Sequence, residues 1–136
     1  MMQTNFSLFH NFLKCRKLTS IFYQYNNEIT ARQYELPINI SSSYINEGDK
    51  ALDWSCGNGH FSLYLIFKKL QVTGSSFYDT IPEYLLKENL FSLKLADENE
   101  SISLPFDDES FDHVFSIGVL EHVHEMGGDQ LYRDSI

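Results

Sequence analysis

The pattern of apolar and polar positions changes character near residue 46. Before it, Phe6, Phe9, Phe12 and Leu13 fall at the spacing of a helix with one apolar face. A second aromatic-rich segment, SIFYQYNNEITARQYE, follows, and LPINISSSYINEGDK, with Pro37, a serine run and Gly48, reads as an irregular linker. Beyond it, short apolar runs alternate with amphipathic ones. KALDW is a buried strand. HFSLYLIFKKL is a helix with Phe61, Leu65 and Leu70 on one face and Tyr64, Ile66 and Phe67 on another. QVTGSSF is a second strand, and TIPEYLLKEN a second helix, with Thr80 as its N-cap and Pro82 in its first turn, where a missing N–H costs little. LFSLKLA alternates as a third strand should, FDHVFSIGVL forms a fourth, and EHVHEM starts another helix before Gly127 and Gly128.

That order predicts an open α/β sheet with crossover helices. It divides the chain into an N-terminal helical segment with a linker, residues 1–45, and a partial sheet domain, residues 46–136. In such a sheet, ligands sit beyond the carboxyl ends of the strands. LDWSCGNG lies at that end of the first strand. There Gly57 and Gly59 permit a sharp turn, and the following helix offers its first N–H groups to an anion. Taken alone, the turn is either a cofactor loop or only a strand-to-helix corner. It is not a dinucleotide fingerprint, because His60, Phe61 and Ser62 replace the later glycine, and it lacks the Gly-Lys-Ser/Thr of a P-loop.

Composition narrows the classes. In 136 residues, 43% hydrophobic and 15% aromatic content is enough for one packed core. A net charge of −9 opposes non-specific nucleic-acid binding, and no apolar run reaches membrane-spanning length. The start, with Lys14, Arg16 and Lys17 ahead of the first acid Glu28, lacks the Arg- and Ser-rich character of a transit peptide and reads as a plain helix. Cys15 and Cys56 form no framework, which fits reduced thiols in the cytoplasm. His122, His124 and Glu125 do not make a metal site, since residues two apart do not share a helix face. No metal is expected.

Two blocks carry a resemblance. ALDWSCGNG is similar to the glycine-rich first motif of the class I S-adenosylmethionine-dependent methyltransferases. LPFDDESFDHVFSIGVLEHV, residues 104–123, looks like that family's fourth-strand region and is the more specific of the two. The resemblance implies a Rossmann-like α/β sheet with helices on both faces, S-adenosyl-L-methionine as cofactor, and methyl transfer to a small-molecule acceptor. It places Asp53, Gly57 and Gly59 at the methionine end of the cofactor, Asp53 facing its ammonium, and Asp97 at the adenine. Asp112 starts the fourth strand, Ile117 and Gly118 line the methionine pocket, and Glu121 and His122 stand beside the methyl-transfer site. If the acceptor is a hydroxyl, His122 is the candidate base; its bland alternative is a structural residue at a helix start.

The departures matter equally. Ser55 stands where the family has the first glycine of the turn, a cost of about 1 kcal/mol if its φ is positive. Ser76 takes the place of the acid that binds the ribose hydroxyls, and Asp79, three residues later, reads as a helix-start residue. DENESIS lengthens the link after Asp97, so Glu98 competes with it for the adenine contact. Only four of the usual seven strands are legible, so the chain is expected to be a truncated product of poor isolated stability. The fourth strand's outer edge would be open to self-association. The alternative from another class is a catalytically inactive remnant that retains part of the cofactor pocket and acts by association.

Overall fold

A computed structural model describes residues 3–100 and 103–119. Its centre is a four-stranded, wholly parallel sheet in the order β3-β2-β1-β4, formed by β1 (Lys50–Trp54), β2 (Gln71–Ser76), β3 (Phe91–Leu95) and β4 (His113–Phe115). The register pairs Asp53 with Gly74 on one side and with Phe115 on the other. The chain steps outward from β1 to β2 to β3 and then returns to the far side of β1. The direction of winding therefore reverses between β1 and β4, the place where open α/β sheets bind ligands. Among the described residues the outer edge of β4 has no strand partner, and Val114 on it is 61% exposed. These findings agree with the α/β sheet expected from the apolar pattern.

Among the described residues five α-helices accompany the sheet: α1 (Asn5–Cys15), α2 (Glu28–Arg32), α3 (Glu35–Ser41), α4 (His60–Phe67) and α5 (Glu83–Leu86). The helix predicted from Phe6, Phe9, Phe12 and Leu13 is α1. Phe6, Phe9 and Leu13 are buried and Phe12 packs half-buried beside them. Thr4 caps it, its hydroxyl oxygen accepting from the Ser7 N–H at 3.1 Å. Phe9 is the joint between the N-terminal segment and the sheet domain. Its ring meets Tyr25, Tyr64 and Phe67 at centroid distances of 5.3, 5.3 and 5.4 Å. Both segments thus contribute to one continuous apolar cluster.

Three local expectations are corrected. The stretch read as a linker contains α3. Pro37 falls in its first turn, where no N–H partner is needed, and the hydroxyls of Ser41 and Ser42 bond back to the Ile38 carbonyl. Thr80 does not cap α5. Pro82 precedes the first helical residue, and Thr80 Oγ1 instead donates to the Gly57 carbonyl at 3.0 Å. Leu70 is not on a helix face. α4 ends with Lys69 in the left-handed region (φ 65°), Lys69 N–H reaching Ile66 O at 2.8 Å and Leu70 N–H reaching Leu65 O at 3.1 Å. This paired closure seats the fully buried Leu70 under the helix end.

The acid at the start of β4 ties the strand down. Asp112 Oδ2 accepts from Lys50 N–H, and Asp112 N–H returns to Lys50 O, both at 2.8 Å. Beside it, His113 Nε2 lies 2.8 Å from Asp49 Oδ2. On one face of the sheet Phe115 packs against Phe61 of α4 at 5.1 Å. On the other, Leu52 and Val114 face Leu104, Phe106 and Phe111 of the β3–β4 link. That Phe106–Phe111 pair, stacked edge to face at 5.1 Å, anchors the acidic run as expected.

Candidate cofactor site

The turn Ser55–Gly59 leaves the carboxyl end of β1 and delivers the chain to α4. Ser55 and Gly57 both have φ of 57°, and Gly59, directly before the helix, has φ of 81°. Ser55 therefore sits in the conformation that strains a side chain, the less favourable of its two possibilities. The two glycines differ. A Cβ at Gly57 would meet nothing within 4 Å, whereas one at Gly59 would come 2.3 Å from Leu85 Cδ2. Gly57 thus leaves open space above the turn, and Gly59 allows α5 to close beneath it.

Asp53 lies behind this turn and is only 2% exposed. Ser62 Oγ donates to its Oδ2 at 2.7 Å. No lysine, arginine or histidine pairs with it among the described residues. Burial raises its pKa to about 6, with the Ser62 hydroxyl and N–H pulling the other way. A buried acid at the switch point with no cation of its own is suited to a positively charged ligand group.

The remaining expected residues gather unevenly. Ser76 ends β2, and with Trp54, Ser55, Phe77, Ala96 and Leu104 it borders a small cleft of about 20 Å³ between the strand ends. Ile117 and Gly118 (φ 68°) follow β4, which lies beside β1, and Ile117 borders a separate apolar cavity of about 630 Å³ with Leu36, Pro37, Phe61 and Phe115. Asp97 is exposed after β3 and accepts from Asn99 N–H and Nδ2 at 2.9 and 3.1 Å, which folds the local turn. Asp79 similarly accepts from Ile81 N–H. Glu121 and His122 lie outside the described residues.

Four positioning residues were not found by sequence reasoning. Ser62 and Thr80 brace Asp53 and Gly57 as above. Gln24, from the 3-10 turn Tyr23–Tyr25, exchanges two amide hydrogen bonds with Asn58, each of 2.9 Å. Tyr25 donates its hydroxyl to the His60 carbonyl at 2.9 Å. Of the aromatics around Gln24, Phe22 and Tyr25 are buried core and Tyr23 is 67% exposed. Only a pairing across 34 residues reveals Gln24, and no local pattern encodes it. Cys56, in the turn itself, is buried, and its thiol is pushed up to about 12, chiefly by burial and then by Asp53. A buried thiol held in its protonated form is a poor nucleophile. No cluster of potential metal ligands occurs among the described residues, and none of their helices is long and apolar enough to cross a membrane.

Residues 52–129 match the family described as Methyltransferase domain, more than half of the chain. The chain belongs to the methyltransferase domain family. The glycine turn, Asp53 and β4 all fall within the matched region. Demethylmenaquinone methyltransferases from two strains of Staphylococcus epidermidis are 34% identical over 80 residues. Those matches cover 55% of this chain and 33% of each relative, so the similar part is about a third of those proteins. A chain in the solved complex between the Haloferax volcanii Trm112 methyltransferase activator and a methyltransferase aligns at a TM-score of 0.44 and 20% identity. That alignment covers 84% of this chain and 47% of the other.

Proposed function

We propose that this methyltransferase-family chain binds S-adenosyl-L-methionine across the carboxyl ends of β1, β2 and β4 and methylates a small-molecule acceptor. The observation that carries the reading is the buried Asp53, which pairs with no cation among the described residues, behind a turn whose Gly57 leaves room for a ligand. When bound, the cofactor supplies a methyl group activated by a sulfonium centre.

Asp53 would balance the positive charge of the methionine end, where burial makes the attraction strong. Ser55, Gly57 and Gly59 shape the surface against it, and Ile117 and Gly118 would close the opposite flank. Ser76 offers a hydroxyl at the ribose position and makes a weaker contact than a carboxylate would. Asp97 marks the adenine side. Glu121 and His122 would stand nearest the acceptor, His122 taking its proton if it is a hydroxyl. Alignment of donor and acceptor supplies most of the acceleration in such a displacement. A small-molecule acceptor is supported by the substrate in the name of the Staphylococcus epidermidis relatives and by the acidic charge, which disfavours nucleic acid.

Calorimetry with S-adenosylmethionine, followed by transfer of labelled methyl to a panel of quinols, phenols and thiols, tests the reading. Saturable binding with turnover on one acceptor class is expected, and absence of binding overturns it. Binding without turnover would favour the inactive remnant, to which the strained Ser55 already points.

A further inference from the structure

Gln24 is a buried polar side chain of the N-terminal segment, 6% exposed, that reaches into the glycine turn. Its Nε2 donates to Asn58 Oδ1 and its Oε1 accepts from Asn58 Nδ2. Two amides locked head to tail fix each other's orientation, because turning either one would set donor against donor. Asn58 Oδ1 also accepts from the His60 N–H at 3.3 Å and lies 3.2 Å from His60 Nδ1. That oxygen can only accept, so Nδ1 carries the ring proton. Tyr34 stands edge-on to the same ring at 4.8 Å.

The turn has little else to hold it. Its own backbone contributes Gly59 N–H to Cys56 O at 2.9 Å, Cys56 N–H reaches Ser75 O at 2.9 Å, and Thr80 holds the Gly57 carbonyl. Asn58 lies between two residues in the left-handed region, Gly57 and Gly59. A segment of that kind has many alternatives in isolation, and any cost of ordering it falls on the ligand that needs it ordered.

We infer that Gln24 is a positioning residue for the cofactor: acting through Asn58, it holds the glycine turn in the form that receives the methionine end. This rests on the S-adenosylmethionine reading above. The N-terminal segment is then part of the binding site at a distance, although Gln24 touches no ligand.

The test uses the full chain with Gln24→Ala, Asn58→Ala, the double substitution, and the exchange Gln24→Asn with Asn58→Gln, which keeps one short and one long amide. Titrations use S-adenosylmethionine and 5′-methylthioadenosine, which lacks the amino-acid end. Each single alanine should weaken S-adenosylmethionine about ten-fold, the scale of one buried hydrogen bond. The double should be no worse than either single, the exchange should recover affinity, and methylthioadenosine should be unaffected. Amide exchange should quicken at Gly57–His60 and stay slow in β1 and β2. S-adenosylmethionine affinity unchanged in Gln24→Ala, or both ligands weakened alike, overturns the inference. Should the parent bind no S-adenosylmethionine, the proposed function fails by itself. Exchange then decides for Gln24: faster exchange confined to the turn sustains its role, and unchanged exchange there removes it.

Discussion

Ser62 Oγ sits 2.7 Å from Asp53 Oδ2, and among the described residues it is the sole side-chain partner of that buried carboxyl. The folded pKa of about 6 exceeds the ordinary 3.8 because burial disfavours the charge. Between those values the folded protein keeps a proton that the unfolded chain has released, so this group's contribution to stability falls as pH rises through that window. The shift corresponds to roughly 2–3 kcal/mol lost above pH 6. Asp53→Asn should therefore raise the Tm of the ligand-free protein at pH 7.5 by several degrees. The gain should vanish near pH 4. The same substitution should weaken S-adenosylmethionine at least ten-fold, on the scale of a buried opposite-charge contact. A lower Tm at pH 7.5, measured by calorimetry, would show that the carboxylate is already compensated.

His60 supplies a slope of the opposite sign. Burial lowers its pKa from 6.5 to about 4, and its Nε2 is buried with no hydrogen-bond partner among the described residues. The unfolded chain protonates near pH 6.5 while the folded one resists until about 4, so stability is lost as pH falls through this range. Between pH 4 and 6 the two residues oppose each other, and the parent's stability should be nearly flat. Asp53→Asn should unmask an acid-side decline, and His60→Phe should unmask a rise toward acid. Denaturant midpoints at half-unit pH intervals distinguish these outcomes.

The two glycines of the turn should fail differently. Gly57→Ala meets open space and incurs only the left-handed backbone cost of about 1 kcal/mol. Its added methyl would nevertheless intrude where the ligand approaches, so affinity should drop far more than stability. Gly59→Ala drives a Cβ to 2.3 Å from Leu85 Cδ2, so the fully buried Leu85 side chain must shift within the core, in addition to the backbone cost at φ 81°. A loss of about 2 kcal/mol or more is expected. Equal Tm losses for the two variants would contradict this division.

Ser55→Gly should relieve strain at φ 57°. Strain relief of about 1 kcal/mol is partly offset by the greater freedom of glycine in the unfolded chain, so Tm should change little. S-adenosylmethionine binding should tighten, because the turn can then settle around the ligand. Equal or weaker affinity by calorimetry would remove Ser55 as a cause of impairment.

Apolar periodicity carried the sheet well. KALDW, QVTGSSF and LFSLKLA each became a parallel strand, because β1 and β2 are buried between layers and their composition shows it. FDHVFSIGVL yielded only the three ladder residues of β4, which among the described residues pairs with β1 alone, opposite Ala51–Asp53. α3 was missed because Pro37 and three serines signal a loop by composition, whereas helix geometry asks only which N–H groups need partners. The glycine turn was legible from spacing, and attention to Asp53 came from the resemblance of ALDWSCGNG to the family's first motif. Gln24, Ser62 and Thr80 were not, because each acts through a partner that only the fold brings near.

The Asp112–Lys50 and His113–Asp49 contacts join residues 62 and 64 positions apart. β1 and β2, by contrast, pair in a register offset of 21, Lys50 with Gln71. Closing the longer loop costs about 1 kcal/mol more chain entropy than closing the shorter one. β1, α4 and β2 should thus form the folding nucleus and β4 should dock after the main barrier. Asp112→Asn would then quicken unfolding while leaving the folding rate almost unchanged. β4, with Ile117 and Gly118 just beyond it, should accordingly be the last part of the sheet to assemble and the first to leave.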